Sequence, residues 1–456
     1  MPFISRNPYT EEVLQEYPSH DWDTVEARLA AARLAFLRWR ETTYAERARV
    51  LHEIATALRE DLETYATTIT QEMGKPIKQA RAEIEKCARG LDYFADNLER
   101  MLQPIEVETE AHKSYIAFQP LGVILAIMPW NFPFWQAVRF AAPAIAAGNV
   151  VVLKPAPNTP NCAVMLRDAF DQGGSEESLL YNLFVEVEMI PDIIRHPLIS
   201  AVTFTGSTRA GREVARIAGE SLKKCVLELG GSDAAIILPD ADLDRAVAQC
   251  LFGRYQNTGQ SCIAMKRFIV DSLVYDEFVE RFVEQSRALR MGDPMDEETD
   301  IGPLARADLR ENLHRQVHES IEMGAEVHLG GAIPEGRGYF YPPTVLTNIS
   351  PAMPVWAEET FGPVAPIMPV NSRYEAVQVA NATRYGLGAS VFTENLRLGE
   401  EIARNRLEVG NAFVNHYVFS DPRLPFGGVR ESGFGRELSV FGLREFVNIK
   451  TVYISE

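Results

Sequence analysis

The chain has 456 residues, 46% hydrophobic and 24% charged, with 45 Lys and Arg against 63 Asp and Glu for a formal net charge of −18. Such a composition fits a folded globular protein of about three domains or subdomains, and the acidic balance excludes sequence-independent nucleic-acid binding, which needs a basic face. Five scattered cysteines (Cys87, Cys162, Cys225, Cys250, Cys262) with no C-x-x-C argue for a reducing compartment and against a disulfide framework or a metal site, and with no signal-like start and no apolar run near the ~18 residues of a membrane span the expected location is cytoplasmic.

In chain order, Val25, Leu29, Ala32 and Phe36 recur at helical spacing. Thr43-Tyr44-Ala45-Glu46 reads as a capping box, followed by the stripe Val50, Ile54, Leu58 and Leu62; a third helical run spans Gln79 to Leu102. Pro104 to Phe118 then alternates weakly, as a hairpin or extended arm, and Val447 to Tyr453 alternates too. Two isolated strands leave open edges, so pairing with something, such as another subunit, is expected. From Leu121 short apolar runs (Val123–Met128, Val150–Leu153, Ala201–Thr205, Ala234–Leu238) alternate with helical patterns such as Thr208–Ala218 and Leu243–Tyr255. That alternation implies α/β architecture with largely parallel sheets, a second α/β stretch running from near Gly230 to about Gly433.

Several strand ends carry residues suited to chemistry, since ligands in open α/β sheets bind beyond the carboxyl ends of strands. Pro129-Trp130-Asn131-Phe132-Pro133 presents an amide able to donate to an oxyanion. Lys154-Pro155-Ala156-Pro157 places a lysine where ribose hydroxyls can be held, although a plain surface lysine fits the same pattern. Thr205-Gly206-Ser207-Thr208 opens a helix whose free N–H groups attract phosphate; it departs from G-x-G-x-x-G, and a helix capped by Ser207 is an equal reading. Glu228 precedes Gly230-Gly231 and suits a general base if burial raises its pKa. Cys262 sits in a small-residue loop, Gln256-Asn257-Thr258-Gly259-Gln260-Ser261-Cys262, just before the run Arg267-Phe268-Ile269-Val270. A thiolate there suits attack on a carbonyl. Glu359 and Phe361, in Glu358-Glu359-Thr360-Phe361-Gly362-Pro363, offer a carboxylate for a ribose diol and a face for a flat ring. His314 and His318 have ligand spacing but lack the glutamate of H-E-x-x-H, so no metal is expected.

Together, Pro-Trp-Asn-Phe-Pro, Phe-Thr-Gly-Ser-Thr, Leu-Glu-Leu-Gly-Gly, Gly-Gln-Ser-Cys, Glu-Glu-Thr-Phe-Gly-Pro-Val and Pro-Phe-Gly-Gly-Val, in this order over nearly the whole chain, resemble the aldehyde dehydrogenase superfamily. The length and Ser420-Asp421-Pro422-Arg423-Leu424-Pro425-Phe426 resemble its short bacterial succinate-semialdehyde dehydrogenases. The resemblance implies a Rossmann-type nucleotide-binding domain (1–101 and 121–228), an α/β catalytic domain (229–432), and an oligomerisation β-arm (102–120 and 433–456) joining a homodimer or homotetramer. It implies Cys262 as nucleophile, Glu228 as the base that activates water, and an oxyanion hole from Asn131 and the Cys262 N–H. For the cofactor it implies Ser207 and Gly206 at the pyrophosphate, Lys154 and Pro157 at the adenosine ribose, Glu359 at the nicotinamide ribose, and Trp130 and Phe361 nearby. The implied chemistry runs through a thiohemiacetal and a thioester, with hydride passing to the nicotinamide.

Arg139, eight residues after Asn131, suits a substrate with a distal carboxylate held bidentately; a salt bridge to a protein acid is its other reading. Ser420 adds a hydroxyl, and Phe132, Trp135 and Phe426 wall the channel. Some succinate-semialdehyde dehydrogenases carry an arginine where Gln256 stands, and Ala264 replaces the second Cys of a Cys-x-Cys switch. NAD-specific relatives tend to have Glu where Pro157 stands and NADP-preferring ones often have Ser; proline does the work of neither, and NAD is expected with tolerance of NADP. The alternatives are another semialdehyde, a neutral aliphatic aldehyde, a non-catalytic binding homologue, and a thiol hydrolase pairing Cys262 with His416.

Overall fold

The computed structural model describes residues 3–455. The helical expectations for the first hundred residues correspond to helices Trp22–Trp39, Tyr44–Glu60, Leu62–Met73 and Ile77–Leu102. Thr43 caps the second, its hydroxyl accepting from Glu46 N at 3.2 Å, and Val50, Ile54 and Leu58 are buried. Leu62 does not extend that stripe; it begins the next helix after a break at Asp61. A short antiparallel hairpin, Phe3–Arg6 with Val13–Tyr17, precedes them; its strands alternate too briefly to stand out in the sequence.

The first large sheet has six strands in the order Gly433–Phe434, Lys224–Glu228, Ile199–Thr205, Val123–Ile127, Val150–Lys154, Leu180–Asn182. All but the first pair in parallel. The chain moves outward from Val123–Ile127 through Val150–Lys154, then returns to its other side with Ile199–Thr205. That reversal is a topological switch point, where a crevice opens at the carboxyl ends. The strands Val123–Ile127 and Val150–Lys154 are buried throughout, as continuous apolar runs covered on both faces should be. One core joins this sheet to the N-terminal helices.

The second sheet has seven strands in the order Glu326–Leu329, Thr344–Thr347, Val364–Val370, Met265–Asp271, Asp233–Ile237, Gly388–Phe392, Asn411–Val414, parallel except at Glu326–Leu329. Two further cores fill its faces.

The third sheet is the arm. Val447–Ile454 pairs antiparallel with Lys113–Pro120 in unbroken register, Val447 opposite Pro120 to Ile454 opposite Lys113, and Ile105–Glu106 folds back as a hairpin. The two strands expected to seek outside partners thus satisfy one edge of each other. The segment after 432 does not enter the arm at once: Gly433–Phe434 borders the six-stranded sheet, and only Val447 onward joins the arm.

Candidate active site

Cys262 lies in the turn between the helix Leu243–Tyr255 and the strand Met265–Asp271. Its loop is unusually constrained. Asn257, Thr258 and Gly259 all have left-handed backbones, with φ of 56°, 55° and 73°; for β-branched Thr258 this is a strained conformation that persists only where the surroundings enforce it. They do. Asn257 N donates to Gln79 Oε1 (2.7 Å), and its side-chain Nδ2 donates to the carbonyls of Asn131 (2.8 Å) and Gln260 (3.0 Å). The buried Arg254 guanidinium donates to the Gly259 carbonyl at 2.9 Å. Lys266 Nζ donates to the carbonyls of Ser261 (2.9 Å) and Cys262 (2.6 Å). The result is a thiol on a rigid support.

Asn131 ends the strand Val123–Ile127 and is buried. Its Nδ2 spends one hydrogen on the Gln260 carbonyl at 3.1 Å, leaving the second N–H to give. The Cys262 backbone N–H has no acceptor among the described residues. Two N–H groups, one from Asn131 and one from the Cys262 backbone, are thus left with hydrogens to give, which is the kind of donor an oxyanion requires.

Glu228 ends the strand Lys224–Glu228, and neither carboxyl oxygen has a hydrogen-bond partner. Two glycines make room. A Cβ at Gly231 would stand 2.6 Å from the Cys262 carbonyl oxygen, and one at Gly427 would stand 2.7 Å from Glu228 Oε1. Burial first, and then the neighbouring Glu437 carboxyl, push the Glu228 pKa well above the usual carboxylate range. That environment favours proton uptake, as a general base requires.

Glu437 was not singled out by its sequence context. It is buried, raised in pKa chiefly by burial, and ion-paired to Arg139, each side chain 2% exposed. Arg139 also lies over the Phe426 ring, its guanidinium carbon 4.6 Å from the centroid. Of the two readings of Arg139, the salt bridge to a protein acid is thus the arrangement found, and the guanidinium is not free to give both its edges to a substrate.

A cavity of about 1050 Å³ opens onto Cys262. Phe132, Trp135, Arg139, Gln256, Ser420 and Phe426 all line it, so every residue expected at the substrate lies on one surface with the sulfur. Lys75 beneath the Phe132 ring, 3.8 Å from its centroid, helps fix that wall.

Of the expected cofactor residues, Trp130, Lys154, Gly206 and Ser207 lie at or just after the carboxyl ends of three neighbouring strands of the six-stranded sheet, Val123–Ile127, Val150–Lys154 and Ile199–Thr205. Ser207 caps the helix Thr208–Glu220, accepting from Ala210 N at 3.4 Å, which is the capped-helix reading. Gly206 N donates to the Glu228 carbonyl at 3.0 Å. Lys154 is buried with no acid partner among the described residues, its Nζ 5.5 Å from the Phe3 ring centre, and burial lowers its pKa to about 8. Pro157 is exposed close by. Glu359 Oε1 accepts from Gly231 N at 3.0 Å and faces Lys266 Nζ at 3.6 Å. Gly230 has no side chain where a Cβ would collide with the other Glu359 oxygen. Phe361 packs edge-on against Trp130, ring centres 5.7 Å apart. A helix start, an unpartnered buried ammonium, a carboxylate and an aromatic face in one crevice fit a dinucleotide.

His416 turns its Nδ1 to the Tyr417 carbonyl (2.8 Å) and is absent from the cavity wall, so it is not placed to activate the sulfur.

The aldehyde dehydrogenase family model matches residues 2–452, and the chain belongs to that family. It is 46% identical over 462 aligned positions to succinate-semialdehyde dehydrogenase NADP(+) 1 of Mycobacterium tuberculosis, covering 100% of both chains. It is 48% identical to the NAD(P)+ succinate semialdehyde dehydrogenase Sad of Escherichia coli K12, covering 99% of this chain and 97% of the other. The crystal structure of succinic semialdehyde dehydrogenase from Streptococcus pyogenes, in complex with NADP+, superposes with a TM-score of 0.97 at 38% identity, covering 100% of both chains.

Proposed function

We propose that the protein oxidises succinate semialdehyde to succinate through a covalent bond to Cys262. The observation that carries this is Cys262 on the wall of a large cavity, with N–H groups left to give on Asn131 and on its own backbone and with a buried Glu228 carboxyl that has no hydrogen-bond partner among the described residues. Cys262, after the thiol gives up its proton to solvent, adds as the thiolate to the aldehyde carbon, and the resulting oxyanion takes hydrogen bonds from the two donors. When bound, NAD(P)+ supplies the acceptor for the hydride that leaves that carbon. The acyl group then remains on Cys262 as a thioester. Glu228 takes a proton from water, whose oxygen attacks the thioester and frees both acid and thiol. One difficult oxidation becomes two easier steps.

The choice of a charged aldehyde is supported by the names of the relatives and by the wall of the cavity, where Lys78, Lys86, Arg89, Arg139 and Arg423 outnumber Glu83, Asp300 and Asp421. For the cofactor, Lys154, Pro157, Gly206, Ser207, Glu359, Phe361 and Trp130 are the proposed holders. No carboxylate stands at Pro157 to repel a 2′-phosphate, and the buried Lys154 ammonium is unpaired. Both dinucleotides are therefore proposed to serve, with NADP preferred, in place of the NAD preference expected from Pro157 alone. A cytoplasmic location and a homo-oligomer built through the arm belong to the same proposal.

Steady-state rates on succinate semialdehyde and on butanal, each with NAD and NADP, test it. A kcat/KM for the charged aldehyde about 10-fold or more above that for butanal is expected from one charge-assisted contact. Equal values would remove the distal carboxylate from the account.

A further inference from the structure

The segment 128–134 carries Asn131 from the strand Val123–Ile127 to the helix Trp135–Ala146. It has few holds of its own. Pro129 and Pro133 have no N–H to give. Of residues 129–135, only Phe134 and Trp135 have a backbone N–H with an acceptor among the described residues, and both donate to a single atom, Glu83 Oε1, at 3.0 and 2.9 Å. The helix Trp135–Ala146 has no side-chain cap and no acid in its first turn. A carboxylate on another helix, Ile77–Leu102, thus supplies what that N-terminus lacks: an acceptor for two orphan N–H groups and a negative charge.

The other Glu83 oxygen is ion-paired to Lys75, and both side chains are buried. Burial lowers the Lys75 pKa, and Glu83 is the chief charge opposing that. The Lys75 ammonium in turn lies 3.8 Å from the centre of the Phe132 ring. The pair therefore grips the segment at two places, by the ring next to Asn131 and by the N–H groups that follow. One turn earlier on the same helix, Gln79 Oε1 accepts from Asn257 N at 2.7 Å, and Asn257 Nδ2 reaches the Asn131 carbonyl at 2.8 Å. Residues four apart share a helix face. One face of Ile77–Leu102 thus holds both the segment of Asn131 and the loop of Cys262. Glu83 borders the cavity as well, but both its oxygens are engaged by donors of the protein.

We propose that Glu83, locked in place by Lys75, is a positioning residue for the oxidation: it fixes where the Asn131 amide stands relative to the Cys262 sulfur. The inference rests on the covalent reading above, in which that amide donates to the oxyanion. What counts is the reach of the Glu83 oxygen, because the two N–H groups follow it; the Lys75 charge serves to hold it there. A misplacement of about 1 Å costs about 100-fold in rate even when its origin is remote from the reacting atoms. An oxyanion forms from any aldehyde, so Glu83 governs the rate of the chemistry and not the choice of substrate.

The test is the first-turnover rate of NADPH formation, at saturating NADP and saturating succinate semialdehyde or butanal, with thermal denaturation of each variant alongside. Glu83→Asp keeps the charge but draws the oxygen back by one carbon, and Lys75→Met/Glu83→Leu fills the space with no acceptor. Both are expected to slow the first turnover about 10- to 100-fold with either aldehyde. Lys75→Met/Glu83→Gln removes both charges but keeps an oxygen in reach, and is expected to stay within about 5-fold of wild type, as neutral isosteres of a buried pair often do. In an Asn131→Ala background the Glu83 effects should vanish, since non-additivity marks a residue that acts through another. Wild-type rates in a folded Asp or Leu variant, equal losses in both backgrounds, a Gln pair as slow as the Leu pair, or failure of both the Asp and Leu variants to fold overturns the role of Glu83 and leaves the covalent reading standing. A wild-type rate in Asn131→Ala alone overturns both.

Discussion

The sulfur of Cys262 is under opposing demands. It has to be enclosed, so that water does not intercept the reaction, yet enclosure disfavours the thiolate that attacks. Burial pushes its pKa up to about 11, and the positive Arg139 and Lys266 offset only part of that. In the cofactor-free enzyme the thiol is therefore neutral at pH 7, and its reactivity should follow the thiolate fraction. Alkylation of Cys262 by iodoacetamide is predicted to accelerate about 10-fold per pH unit from pH ~7 to ~10 with no plateau; a plateau near pH ~8.5 would mean that the site ionises the thiol unaided. Cys262, Asn131 and Glu228 were legible in the sequence because each sits at a strand end or in a glycine-rich turn of its own. Glu437 was not: its partner Arg139 is remote in sequence, and nothing local marks it. Glu83 did leave a trace. Gln79, Glu83 and Lys86 recur at helical spacing on a largely buried helix, and that polar stripe touches the cysteine loop, the start of the helix Trp135–Ala146, and Ser420 in turn.

At the scale of the element, the segment 257–259 shows how the loop is paid for. Three successive left-handed residues are held by Arg254, which donates to the Gly259 carbonyl, by Gln79, which accepts from Asn257 N, and by Gln260, which donates to the Asn257 carbonyl. Gly259 is the tightest point: its φ is 73°, and a Cβ would collide with the Gly362 carbonyl. Gly259→Ala is predicted to cost about 2 kcal/mol or more of stability, and to lower kcat more than it raises KM, because it displaces the nucleophile rather than the substrate wall. Thermal denaturation and steady-state kinetics on the variant check this; wild-type stability with wild-type kcat would show that the loop is not under that constraint. Parallel strands and their helices were readable because buried runs and amphipathic spacing are local signals. The partner of each arm strand was not, since Val447–Ile454 and Lys113–Pro120 meet only through long-range register.

For the whole molecule, the three-stranded arm is the feature a lone chain explains least. Val447–Ile454 forms its outer edge, and Ile449 and Tyr453 are 61% and 57% exposed. An open edge bearing apolar side chains is a template for pairing. On the proposed homo-oligomer, removal of residues 447–456 should yield a smaller species by sedimentation velocity; a full-length chain that is already monomeric at micromolar concentration would contradict it. Elsewhere the two large sheets contribute separately: a strand of one ends at Glu228, the loop leading into a strand of the other supplies Cys262, and the cavity beside that loop is lined by the helices Ile77–Leu102, Trp135–Ala146 and Leu243–Tyr255.

All of this depends on a bond between substrate carbon and the Cys262 sulfur. The most direct measurement is rapid quench of the enzyme turning over succinate semialdehyde with NADP, followed by mass spectrometry of the peptide containing Cys262, in wild type and Glu228→Gln. The account predicts a succinyl adduct at Cys262 that accumulates in Glu228→Gln, where the hydrolytic base is lost and kcat falls by about 100-fold or more. Turnover with that peptide unmodified in both enzymes would contradict it.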